Sequence, residues 1–76
     1  MKKFEPRKIY QILDKDLKYR SLIPYQGEML DYTSDHRREA IVYTFNEAKK
    51  AAKYYIEEKN VPVMIECRTV AKRKYI

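Results

Sequence analysis

His36 and Cys67 are the only imidazole and the only thiol in the 76 residues, and they stand far apart in the sequence. A general base needs an orienting partner and a pocket. His36 instead sits in the polar run Thr33-Ser34-Asp35-His36-Arg37-Arg38, which reads as a solvated loop. Cys67 alternates with Val61, Val63 and Ile65, so it reads as a small buried hydrophobe. A thiolate nucleophile would need an exposed, electropositive setting. One His and one Cys cannot complete a zinc site. The carboxylates lack calcium-loop spacing. Gly27, the only glycine, cannot build a glycine-rich phosphate loop. The expectation is a non-enzymatic binding protein with no cofactor and no metal.

The remaining chemistry lies in cations and tyrosines. The net charge is +6, and there are eight tyrosines. Residues 1–13 carry a net +3 and residues 60–76 another +3, whereas residues 24–40 carry −2. First and last strands lying side by side would merge both ends into one basic stripe, attractive to nucleic acid, an acidic protein or an anionic surface. Many small domains carry such charge only for solubility.

These residues need a scaffold. Arg7–Leu13 and Leu17–Ile23 read as two strands joined by the polar turn 14–16. Pro24-Tyr25-Gln26-Gly27 is turn chemistry, and Glu28–Tyr32 fits either a short strand or a helical turn. Ala40–Thr44 is a further apolar run. Thr44-Phe45-Asn46-Glu47 has the form of a capping box opening a helix over about 46–59. Asn60 and Pro62 close that helix. Phe45, Ala48, Ala52, Tyr55 and Ile56 share its apolar face. Val61–Val70 alternates as a last strand. The fold expected is α+β: a small antiparallel sheet in β-β-β-α-β order with one helix across one face, and a single domain over 1–76 in which 71–76 form a flexible basic tail.

Alternation places Lys8, Tyr10, Lys18, Arg20, Met64 and Arg68 on the helix-free face, with Lys72 and Arg73 added by the tail. These eight are the candidate binding residues. Cations interleaved with aromatics on an open sheet suit nucleic acid, whose bases stack on rings while cations track phosphates. The same face receives Tyr10, Ile12, Leu22, Val42 and Met64, an apolar patch suited to a protein partner or a homodimer. Because +6 is modest for a dedicated nucleic-acid binder, the sequence favours a protein-interaction factor, an inhibitor or adaptor. A nucleic-acid module is the alternative, and a binder of an anionic small molecule the second alternative. A one-residue slip in any strand would move every such side chain to the other face.

A single cysteine implies a reducing, cytoplasmic setting. No apolar run is long enough for a membrane span, and no signal peptide is recognisable. In general character (short, basic, rich in Tyr and Lys, one capped helix on a small sheet) the chain resembles accessory proteins of bacteriophages and mobile elements. That resemblance implies binding to a host protein or nucleic acid, and no motif carries it.

Overall fold

A computed structural model describes residues 2–75, with side chains described for residues 6–70. Four antiparallel strands form one sheet: β1 (Lys2–Asp14), β2 (Tyr19–Tyr25), β3 (Glu28–Ser34) and β4 (Val63–Tyr75), in spatial order β3-β2-β1-β4. One helix, α1 (Phe45–Glu57), lies between β3 and β4 in the chain and packs on β1 and β4. The fold is α+β, with the β-β-β-α-β order expected.

Local chemistry explains the joints. Asp14 Oδ1 accepts from the amides of Asp16 and Lys18 at 2.9 and 3.0 Å, which folds the β1–β2 turn. Gln26 and Gly27 have φ of 50° and 79°. Two left-handed residues make the turn whose twist suits a two-residue hairpin, here β2–β3. Thr44 Oγ1 accepts from the Glu47 amide at 3.2 Å, and Glu47 Oε1 accepts from the Thr44 amide at 2.9 Å, so the capping box is formed. Asn60, at φ 56°, ends the helical region by turning the chain back.

Glu28–Ser34 resolves as a strand, and Ala40–Thr44 does not. β1 and β2 pair at only two positions, Ile12↔Arg20 and Leu13↔Tyr19, and then diverge. Residues 40–43 enter the opening. Tyr43 exchanges both backbone hydrogen bonds with Tyr10, at 2.8 and 3.2 Å. Its hydroxyl accepts from the Leu22 amide at 2.9 Å, while Ser21 Oγ accepts from the Ile41 amide. Ala40 packs with Leu13 and Tyr19 on one side of the sheet, and Tyr43 packs with Ile12 and Leu22 on the other. The chain thus passes from one face to the other through the fork.

That crossing corrects the strand phases. Opposed residues in an antiparallel pair share a face, and the register sets Tyr10 against Cys67 and Ile12 against Ile65. Ile12 and Leu22 are buried under α1 with Ala48, Ala51, Ala52 and Tyr55, and Tyr10 packs against this core. Lys8, Tyr10, Ile12, Leu22 and Arg20 therefore lie on the helix side, contrary to the expectation for Lys8, Tyr10 and Arg20, whereas Met64 and Arg68 lie on the other. Simple alternation fails in β1 because both faces are covered: Ile9, Gln11, Ile12 and Leu13 are all buried. The helix also presents a different stripe. Ala51 is buried, while Phe45 and Ile56 are about half exposed at 50% and 51%. Residues 71–75, expected as a tail, continue β4 opposite 2–6.

Candidate nucleic-acid interface

β1 and β4 pair continuously from Lys2↔Tyr75 to Asp14↔Val63. β2 joins β1 only at Ile12 and Leu13, so from Lys8↔Thr69 outward the two strands run as a ribbon of seven pairs. At roughly 3.3 Å per residue this is about 20 Å of ribbon. Pro6, Arg7, Lys8 and Thr69 are exposed. The condition for a basic stripe is met: residues 2–8 hold four cations and one carboxylate, and residues 68–75 hold four cations and none. The rest of the chain holds nine cations and ten carboxylates. All of the excess positive charge therefore belongs to the ribbon and its base.

At that base, on the helix-free face, two guanidinium groups are held in place. Gln11, 1% exposed, donates from Nε2 to the Arg37 carbonyl at 2.7 Å and to the Ala40 carbonyl at 3.3 Å. Its Oε1 accepts from Arg68 Nη2 at 2.7 Å. Tyr19 donates its hydroxyl to Glu66 Oε1 at 2.9 Å and accepts from Arg37 Nε at 3.0 Å. Glu66 Oε1 also lies 3.7 Å from Arg37 Nε and 3.4 Å from Arg68 Nε. The second contact is a charge attraction without hydrogen-bond alignment, since the buried Arg68 Nε has no hydrogen-bond partner. One carboxylate thus faces two guanidiniums. This pair escaped sequence reasoning in part, because Arg37 sits in a polar loop and only a buried glutamine in mid-strand hinted that something crosses above it.

The eight residues singled out from the sequence separate into groups. Lys8 is exposed on the ribbon. Arg68 stands at its base. Lys72 and Arg73 occupy ribbon register positions opposite Glu5 and Phe4, and their side chains fall outside the described ones. Met64 is exposed at 56%, away from the ribbon's outer part. Lys18 pairs with Asp35 at the opposite end of β1. Tyr10 stacks against Phe45 with ring centroids 5.3 Å apart. Burial, followed by the neighbouring Cys67, raises its phenol pKa. Arg20 is internal to the fold: Nε meets Asp14 Oδ2 at 2.8 Å, Nη1 meets Asp31 Oδ2 at 2.7 Å, and its guanidinium lies over the Tyr55 ring at 5.9 Å.

The apolar patch of Tyr10, Ile12, Leu22, Val42 and Met64 is not one surface, because its first three members face the helix side. Exposed apolar area gathers elsewhere. Of the ten large hydrophobic residues exposed among the described residues, Ile23, Tyr25, Met29, Leu30 and Tyr32 belong to the β2–β3 hairpin. Cys67, expected to be buried, is exposed on β4. Among the described residues no group of three or more His, Cys, Asp or Glu side chains is placed to hold a metal ion, and no helix is long and apolar enough to cross a membrane. Comparison of the chain with protein-family models, curated proteins and solved structures finds no match in any of the three.

Proposed function

We propose that the protein is a non-enzymatic nucleic-acid-binding module whose β1–β4 ribbon contacts the phosphate backbone. The observation that carries this reading is the placement of the entire charge excess on one two-stranded ribbon. Adjacent strands lie about 4.8 Å apart, and a major groove about 12 Å wide admits such a ribbon. Phosphate contacts of this kind give affinity that is sequence-independent and driven by counterion release. The lone cysteine suits a reducing, cytoplasmic setting.

Fluorescence polarisation with labelled duplex and single-stranded DNA and RNA tests the proposal. Binding at about 50 mM salt is expected, and log affinity should fall against log salt with a slope of about −5 to −7 on duplex DNA, as six to eight neutralised phosphates require. Absence of binding to every one of these probes at that salt rules the reading out.

A second reading rests on the β2–β3 hairpin. Ile23 and Leu30 are cross-strand partners, 40% and 45% exposed, and an apolar hairpin surface is suited to a protein contact. Ile23→Glu combined with Leu30→Glu is expected to abolish cross-linking to a protein partner while leaving the melting temperature within a few degrees. A partner that cross-links equally to this double variant argues against the hairpin as the contact.

A further inference from the structure

Beside the ribbon base, on the helix-free face, lies an open depression of about 530 Å³ lined by Tyr19, Asp35, His36, Arg37, Arg38 and Arg68. Its lining carries three guanidiniums against one carboxylate, and that carboxylate, Asp35, is engaged by Lys18. Arg37 is anchored through Nε and Arg68 through Nη2, so among the described residues the Nη groups of Arg37 and the Nη1 of Arg68 have no hydrogen-bond partner. Arg38 makes no ion pair among the described residues. Two planar forks fixed at one end, with their remaining donors free, are the arrangement that captures a tetrahedral or planar oxyanion with little loss of side-chain entropy. Glu66 offsets one of the two anchored charges and leaves their Nη donors free. It accepts from Tyr19 and stands between both Arg residues on the Nε side.

We propose that this depression is a phosphate-binding site, with Arg37, Arg38 and Arg68 as its donors. The phosphate comes either from a nucleic-acid strand leaving the ribbon or from a small phosphate ester; the site does not require the ribbon reading to hold. The probe is inorganic phosphate, titrated into ¹⁵N-labelled protein while the arginine Nε–H signals are followed, with sodium chloride at matched ionic strength as the control. Saturable shifts confined to Arg37, Arg38 and Arg68, seen with phosphate and not with chloride, are expected. Arg38→Ala should weaken them roughly tenfold, the effect of one charge-assisted hydrogen bond. Arg38 is exposed and holds nothing in place, so this variant keeps the fold. Equal shifts with chloride, or an unchanged affinity in Arg38→Ala, overturn the site.

A single-stranded oligonucleotide then separates the sources. Shifts at these three arginines together with Lys8 and Thr69 assign the phosphate to nucleic acid. Shifts with inorganic phosphate but none with the oligonucleotide leave the site standing for a small ester, and only the ribbon reading falls. Oligonucleotide shifts on the ribbon with arginines silent to phosphate remove the site and leave the ribbon reading.

Discussion

Arg20→Ala is expected to lower folding stability by about 3–5 kcal/mol, the usual cost of stripping one partner from a buried ion pair. Domains of this length have roughly 4–11 kcal/mol in total, so the variant should lose a large part of its stability and unfold at a much lower urea concentration. Asp14 is the reason. It is 3% exposed, and Arg20 is its only cationic partner among the described residues. The same guanidinium holds Asp31, which in turn accepts from the Tyr55 hydroxyl at 2.8 Å. Burial, followed by the Asp31 hydrogen bond, pushes the Tyr55 phenol far above its ordinary range, so it stays a neutral donor. Acid dependence gives a second readout. Burial alone would raise the Asp14 pKa, but the hydrogen bonds from Arg20 and from the Lys18 and Asp16 amides outweigh it and hold it below the ordinary carboxylate range. A carboxyl depressed in the folded state contributes stability above its unfolded pKa and loses it as pH falls through the folded value. Wild-type stability should therefore decline below about pH 4, and the variant's curve should be flatter there. Urea unfolding followed by circular dichroism measures both effects. A loss under about 1 kcal/mol would mean that the Asp16 and Lys18 amides suffice for Asp14.

Arg7→Glu combined with Lys8→Glu is expected to weaken nucleic-acid binding by about 100-fold or more at low salt. Two phosphate contacts disappear, which flattens the salt slope by about 1.8, and two like charges are added against the backbone. Both residues are exposed and lie opposite Val70 and Thr69, so the backbone ladder survives the change. Lys15→Glu with Lys59→Glu makes the same change in net charge on exposed positions at the opposite end of the sheet. It should cost less than about threefold, because those residues lie far from the ribbon and their field is screened over roughly 10 Å at about 0.1 M salt. Equal losses from the two double variants would show that net charge, and not the ribbon, governs binding.

The helix was legible because its signals are local. Thr44 and Glu47 form the box that their spacing announces, and Asn60 ends the helical region. The β1–β4 stripe was legible as a condition on charge, once pairing of the ends was granted. The sheet faces were not. Gln11 and Ser21 are buried polar residues in mid-strand, and both are there to bond the segment that crosses the fork. A periodicity argument assigns one covered face per strand, and here the loop 35–41 covers the second. Arg20 looked like a surface cation for the same reason: its partners Asp14 and Asp31 come from a turn and from a strand whose register the sequence leaves open.

The register of the ribbon sets Lys3 directly opposite Lys74. Like charges opposed across a strand pair repel, and the strands being joined are 49 residues apart at Asp14↔Val63 and 73 apart at Lys2↔Tyr75. The ribbon is therefore the most distant pairing in the chain, with one like-charged register pair beside the opposite-charged pair Glu5↔Lys72. On the proposed reading, added salt would screen that repulsion while weakening the hold on a polyanion. A polyanion bound as proposed would neutralise both strands at once and so help to close the pairing most distant along the chain.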